Sequence, residues 1–585
     1  NSAHDSSCAC SDDEVVDQVL VRYYEARQIG DGLTRDALHS IAAAVDAPAN
    51  STVVVNPTGR ARSGVIEGIV AGTGDCHFVG PDGSPRPTQM IGELSGEVYT
   101  TMVTGEKVRW VLDLMRGTEF AGRQIRSYDI VPLAEPRSSK VWDVILQEAG
   151  PGESRCDLSE LRESMLALGA EGNTMKFRLF MAPLRHVLVD TGAVPGFGWS
   201  TLVSADGPPP PGTVVATEGA LANEHIRVAV DSGDGTYAID TNDGMRLRGL
   251  GKLVDDGDGG DTYNYSPPAT DVVIDTPDAV RVTTIESGPV RARVLVESDY
   301  TWPAHALGDE RACSARSEKT EKVTVRTTLE LRPGEQFLRV SHEFDNRCRD
   351  HRLRAHFPLP ARVAGSQAEC AFTVVTRGLT AEGGAQEFGL PTFPSRRFVD
   401  ATDLTSGLAL VHDGLLEYEV VDDGNTLALT LLRAVGYLSR SEPSLRPNPA
   451  GPTIPVKGAQ MLGDQRAEYA VLPHRGDWRA ADCYGAADAF LVPLERTRGG
   501  GFGGTQPRAG AALRVDGAEV SAVHRIAGGL LVRVFRTDSG EGPVTIEHDG
   551  APATGWIVDL QGRPVEPFEG QVTMRPWQIV TFQLP

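Results

Sequence analysis

Four short stretches of this chain carry residue types that could do chemistry. The first is NSAHDSSCACS, residues 1–11. A loop histidine such as His4 can ligate a metal through its neutral imidazole, and a carboxylate beside it, Asp5, can orient the ring or bind sugar hydroxyls. Taken alone, a His-Asp pair is more often structural. The second is DDGDGGDTYNYSPP, Asp255 to Pro268. An acidic, glycine-rich start followed by Tyr263 and Tyr265 suits a loop that offers hydroxyl partners and an aromatic face to a sugar. Its order of acids is not that of an EF-hand, so a calcium loop does not follow. The bland reading is a solvated turn. The third is DNRCRDHRLRAHFP, Asp345 to Pro358, where charges alternate with Leu353, Ala355 and Phe357. This reads as a strand with salt-bridged, exposed charges. His351 and His356 are an odd number of positions apart, which places them on opposite faces of a strand and rules out a shared metal. The fourth is LTLLRAVGYLSRSEPSLRPNPAGP, Leu429 to Pro452. A buried strand there runs into a loop holding Arg440 and Arg446, and a loop arginine can clamp a hydroxyl or carboxylate.

These stretches need elements to position them. After residue 11 the pattern turns helical. Ser11 is a good N-cap with Glu14 three positions on, and Val15, Val16, Val19, Leu20 and Tyr23 repeat on one helical face. A second helix is expected from Thr34 to Val45, closed by Pro48. Two helices cannot bury their faces alone and must pack on something else. From Thr52 the texture changes to β-branched runs broken by Asn56-Pro57, with strands resuming near Arg185–Val189 and Trp199–Val203. Between about 97 and 180 three segments, KVRWVLDLMRGTEF, SKVWDVILQEAG and DLSELRESMLALGA, show helical spacing and predict a helical insertion packed on the sandwich edge. GPPPPG at 207–212 reads as a linker, and RTRGGGFGGTQPRAG at 496–510 as a flexible loop or linker. Between them lie many short strands with Gly, Pro and Asp turns, including HIRVAVDSGDGTYAID and KVTVRTTLELRPGEQFLRVSHEFD. The expected fold is mainly β: short N-terminal helices over 1–50, a first β domain over 51–206 holding the insertion, a large antiparallel β-sandwich over 213–497, and a small C-terminal sandwich over 510–585.

Composition narrows the function. A chain of 585 residues needs several cores. The formal net charge of -23 argues against long-range attraction to nucleic acid or an anionic membrane. No apolar run is long enough for a membrane-spanning helix. The 8 cysteines form no C-x-x-C pair, so a reduced, cytoplasmic protein is the expectation.

Together the four stretches resemble glycoside hydrolase family 38, the zinc-dependent α-mannosidases of bacterial, mannosylglycerate hydrolase-like type. NSAHDSSCACSDDEV is similar to that family's N-x-x-H-D-x-I-C-G-C-S-x-D-E-V loop and helix, with Ser7 and Ala9 in place of Ile and Gly. DTYNYSPP, DNRCRDHRLRAHFP, TLLRAVGYLSR and GAQMLGDQRAEYAVLPH resemble its C-terminal β region, in the same order. The resemblance implies a galactose-mutarotase-like central sandwich and a three-helix bundle of which residues 1–50 are the remainder. It implies zinc as cofactor, with His4 as one ligand and Asp5 as a substrate contact. Asp261, Tyr263, Tyr265 and Arg446 become sandwich-side contacts to an α-mannoside. It further implies that the carboxylate nucleophile and the other zinc ligands belong to an N-terminal catalytic domain that this chain lacks, and that the chain alone is inert. A single imidazole cannot hold zinc well. In a retaining enzyme one carboxylate attacks and a second acts as acid and base. The alternative is a non-catalytic carbohydrate-binding or scaffolding β-sandwich protein. A mutarotase- or lyase-like sandwich would need a His/Glu or Tyr/Arg cluster on its concave face. A homo-oligomer stays open.

Overall fold

The structure is a computed structural model that describes residues 11–133, 141–150, 153–381, 383–384, 388–446, 448–501 and 503–585. It is mainly β, built from antiparallel sheets, as the turn-rich sequence predicts.

The chain enters through one helix of 32 residues, Asp13–Ala44, where the sequence predicted two. Gly30 and Gly32 do not break it. An interior glycine costs about 1 kcal/mol against alanine, whereas only a proline would forbid the turn. The N-cap is Asp12 rather than Ser11, and its carboxylate accepts from the Val15 amide at 3.0 Å. The Asp13 carboxylate then accepts from the amides of Lys457 and Gly458 at 2.7 and 2.9 Å, which pins the helix start to the central sandwich. Val19, Leu38 and Ala42 are buried, while Leu20, Tyr24, Ile29 and Leu33 are exposed.

The first β unit pairs Ser51–Asn56 with Gly198–Asp206 in one sheet, and Val65–Ala71 with Leu184–Asp190 in another. Val54, Ile66, Phe78, Val187 and Leu202 fill the space between. The glycine-rich stretch at 496–510 is not a free linker. Glu495–Arg498 pairs with Ser51–Asn56, and Ala509–Ala511 with the start of Gly198–Asp206, so the chain returns to complete the first sheet. Its glycines are there for close approach. A Cβ on Gly504 would lie 2.4 Å from the Ala44 carbonyl at the helix end.

The insertion over 97–180 is an α/β unit rather than a helical one. Strands Glu97–Thr104, Thr174–Phe180, Val141–Glu148 and Arg123–Pro132 lie side by side in one sheet, joined at its edge by two short strands. The helices are Val108–Leu112 and Ser159–Ala170. The segment predicted as the middle helix is the strand Val141–Glu148, parallel to Thr174–Phe180 through the crossover helix Ser159–Ala170. A mostly apolar run such as Val-Trp-Asp-Val-Ile-Leu matches both periods, and its β-branched content decides for strand.

The central sandwich has a nine-stranded sheet facing two five-stranded ones around the largest core, with Trp302, Phe357, Tyr418 and Tyr469 wholly buried. The segment before it runs against Pro289, where a Cβ on Gly212 would lie 2.1 Å from the Pro289 carbonyl oxygen. Residues 513–585 form the small C-terminal sandwich around Phe568, Met574 and Phe582. Among the described residues no helix is long and apolar enough to cross a membrane.

Candidate functional site

Strand Lys252–Gly257 pairs antiparallel with His351–Pro358, with Asp256 opposite Arg352 and Asp255 opposite Leu353. Strand alternation sends Leu353, Ala355 and Phe357 into the core and Arg352, Arg354 and His356 to the other face. The third stretch ends one strand at Asn346 and forms a second over His351–Pro358, so the predicted strand is there after a turn. Asp345, Arg347 and Arg349 are exposed as expected, but Arg352 and Arg354 are buried, because the second strand is flanked by two others and covered by the loop that follows residue 257.

On that outer face the charges form a closed network. Arg352 donates to both oxygens of Asp256 at 3.0 and 2.7 Å, and Arg354 reaches the same carboxylate at 3.1 Å and Glu419 at 2.9 Å. Burial pushes the Asp256 carboxyl up, but the bonds from Arg352 and the charges of Arg352, Arg354 and Arg316 outweigh it and hold the group below the usual carboxylate range. Asp258 receives Arg433 at 2.7 Å and the Gly260 amide at 2.9 Å, and there burial wins and raises the carboxyl. The Arg352 guanidinium lies 3.4 Å from the centre of the Tyr265 ring, a stacked cation–π contact. Burial raises the Tyr265 hydroxyl. His356 is drawn down to about 4, first by burial and then by the charge of Arg354, so it is neutral near pH 7.

Beneath this face, on the core side, a second latch fixes the start of the loop. Asp255 binds His351 Nδ1 at 2.5 Å and also receives Arg316, which donates to the Val272 carbonyl at 2.8 Å. His351 Nε2 lies 3.0 Å from Asn346 Oδ1, and the ring lies beside Trp302.

The loop itself is organised by Asp261. This carboxylate is wholly buried. One oxygen accepts from the amides of Tyr263 and Asn264 at 3.0 and 3.1 Å, the other from the Arg440 amide at 2.8 Å and Arg446 Nη2 at 2.6 Å. Arg446 also reaches Asn264 Oδ1 at 2.6 Å, and its charge lies 5.9 Å from the Tyr263 ring centre. Arg440 donates to the Gly260 carbonyl at 3.0 Å and to Asp350 at 3.2 Å. The second and fourth stretches are thus one interlocked structure, and Asp261, Tyr263, Tyr265 and Arg446 come together. Within it Asp261 and Arg446 bind each other. They shape the loop, and the half-buried Tyr265 ring covers the buried Arg352 guanidinium. His4 and Asp5 lie outside the described residues.

The sequence reading singled out neither Arg352, Arg354 and Asp256 nor Arg433 and Asp258. The signal was the placement of two arginines and two histidines in a strand whose positions 353, 355 and 357 are apolar. A solvated strand and a buried polar face give the same alternation until the covering loop is known.

Chemically the arrangement can bind oxygen-rich groups. Arg352 Nη1 and Arg354 Nε are buried without a hydrogen-bond partner. Buried N–H groups are rarely left so, and hydroxyls or water would satisfy them. The arrangement does not supply a nucleophile, since Asp256, Asp258 and Asp261 are each bonded to an arginine. Among the described residues no three His, Cys, Asp or Glu side chains converge as metal ligands. The one zinc ligand that the resemblance implies in this chain, His4, lies outside the described residues.

Residues 221–449 match the family model of the glycosyl hydrolases family 38 C-terminal domain. This span holds the whole network around Asp256, Asp258 and Asp261. A curated protein of Halalkalibacterium halodurans named "Putative mannosylglycerate hydrolase" is 32% identical over 302 residues, 47% of this chain and 31% of that protein. The chain thus matches about a third of that relative's length. Two solved structures share the fold with a TM-score of 0.74 and 20% identity over 100% of this chain. One is an alpha-mannosidase from Enterococcus faecalis V583, of which 62% is covered, and the other a glycosyl hydrolase family 38 protein from Enterococcus faecalis, of which 64% is covered. The match of residues 221–449 to the family 38 C-terminal domain is what the motifs led us to expect.

Proposed function

We propose that this chain acts in the hydrolysis of α-mannosidic bonds, as the C-terminal part of a retaining, zinc-dependent α-mannosidase. The observation that carries this reading is the buried face of Arg352, Arg354 and Tyr265, with N–H donors left without a hydrogen bond, inside the family-matched segment. In this reading the loop locked by Asp261 and Arg446 forms the sandwich-side wall of the sugar site. Tyr265, half-buried, meets the sugar, with the buried Arg352 guanidinium stacked on its ring. The attacking carboxylate and most metal ligands come from sequence outside this chain, with His4 adding one ligand and Asp5 a substrate contact. Zinc, when bound, would hold vicinal hydroxyls of the sugar as a Lewis acid. The neutral His356 and the arginine-bound carboxylates take no part in proton transfer. They fix the wall.

The second reading, a non-catalytic carbohydrate-binding protein, is favoured for the isolated chain by one fact, that each carboxylate of the network is engaged by an arginine. The test is hydrolysis of an aryl α-mannoside by the whole gene product. Turnover that stops on chelation, returns with zinc, and releases the α-anomer first is expected. Tyr265→Leu should lower kcat/KM about tenfold or more, a loss of the order of 1–2 kcal/mol in transition-state binding. Absence of α-mannoside turnover, or release of the β-anomer first, overturns the reading.

A further inference from the structure

A second feature lies on the nine-stranded sheet, away from the sheet that carries the Arg352 network. Where the first β unit, the central sandwich and the small C-terminal sandwich meet, a cleft of about 1080 Å³ opens. We propose that this cleft binds a neutral oligosaccharide.

Three observations carry the proposal. The first is Phe372, which stands in the cleft wall at the tip of the hairpin Gly365–Cys370 and Thr373–Gly378. Cys370 pairs with Thr373, leaving a two-residue loop, and Phe372 takes φ 60° in it. That position favours glycine or asparagine, and a bulky side chain there is strained. Phe372 is nevertheless 37% exposed, with the Phe535 ring edge-on at 5.6 Å. A large aromatic held against backbone preference and left partly open is placed for contact, and strain of this kind collects at ligand sites.

The second observation is the fixed polar wall. Arg60 donates to Glu519 at 2.8 Å and lies 3.4 Å from Asp488, while Arg397 grips Glu369 and Asp488 at 2.7 and 3.1 Å. Side chains locked by ion pairs across three units present hydroxyl-binding edges with little ordering left to lose on binding. Arg396 stands apart. It is 63% exposed and only 3.8 Å from Glu369, whose oxygens Arg397 already takes. Its guanidinium is the exposed donor of the wall.

The third observation is charge. Four arginines and five carboxylates line the cleft, a near balance that favours neither an anion nor a cation. An aromatic platform, donors and acceptors in nearly equal number, and room for several sugar rings fit an uncharged polyhydroxyl chain.

The choice of mannosides as the first probe rests on the function proposed above, whereas the cleft's preference for a neutral sugar does not. The experiment is titration of the full chain with α-linked mannotriose, maltotriose and xylotriose, followed by nuclear magnetic resonance or calorimetry. The expected result is saturable binding of at least one trisaccharide, weakened about tenfold or more by both Phe372→Gly and Arg396→Ala. Phe372→Gly relieves the positive φ and Arg396 is mostly exposed, so both variants keep the fold, which their thermal midpoints check. Binding of maltotriose or xylotriose but not mannotriose supports the cleft while counting against the mannoside reading. No saturation by any of the three, or saturation that both variants leave unchanged, overturns the proposal.

Discussion

Asp261 and Arg446 show how one residue pair decides whether the candidate wall exists. Asp261 is wholly buried, so removing its cation leaves an uncompensated charge in the interior. Breaking such a pair costs about 3 kcal/mol. Arg446→Ala should therefore lower the thermal midpoint of the sandwich and open the loop to hydrogen exchange from Gly257 to Ser266, with Arg446→Lys recovering part of both. A midpoint and exchange pattern equal to the parent's would sink this assignment. Buried histidines set a second residue-scale behaviour. Burial draws His412 down to about 4 and His342 to about 3, so both are neutral in the fold. Near pH 6.5 and below, the unfolded chain binds protons that the folded chain refuses. Stability is then full above about pH 6.5 and falls as the pH drops toward 4, by on the order of 3 kcal/mol for His412. Denaturant unfolding followed from pH 7.5 to 4.5 checks the slope. His412→Asn should flatten it, and an unaltered slope would place the acid sensitivity elsewhere.

At the scale of elements, the alternating runs and Gly-Pro turns made the central and C-terminal sandwiches legible in the sequence. The hairpins at 226–241 and 320–346 form where the pattern puts them. The misreadings share a cause, which is that local pattern does not see long-range pairing. Val141–Glu148 matches helix and strand periods alike, and only its place between two other strands decides. Glu495–Arg498 sits beside a glycine run that looks flexible, yet it pairs with a strand more than four hundred residues earlier in the chain. The insertion has its own core, with Val144, Leu146 and Phe177 inside it. Val144→Asp places a charge there. Hydrogen exchange should lose protection within 97–180 while 292–331 keeps it, and loss in both would show that the insertion is not an independent unit. Gly504→Val tests the return of the chain. Its side chain would meet the Ala44 carbonyl, so the helix end and the strand Glu495–Arg498 should both lose protection, and retention of both would refute the close approach.

At the scale of the whole molecule, the sequence made the convergence of the loops at 255–268 and 429–452 legible, because tyrosines, acids and arginines are concentrated there. It hid the arginine face beneath them, since burial of alternate charges depends on a loop folding back over the strand. On the reading proposed above, the Arg352 network is a wall rather than a reaction centre. Retaining hydrolysis needs two carboxyl groups about 5–5.5 Å apart, one of them free to attack. In the network each candidate is held by a guanidinium: Asp256 by Arg352, Asp258 by Arg433, Asp261 by Arg446. An arginine-bound carboxylate is a poor nucleophile, and moving Asp258 or Asp261 would unmake the loop. The chain by itself should therefore bind α-mannosides weakly and hydrolyse none. The measurement is release of aryl alcohol from an aryl α-mannoside by the purified 585-residue chain with added zinc. The rate expected is that of the buffer. Turnover above it that Asp258→Asn or Asp261→Asn abolishes, in a variant that still melts cooperatively, would place the nucleophile inside this chain and replace the wall with an active site of its own.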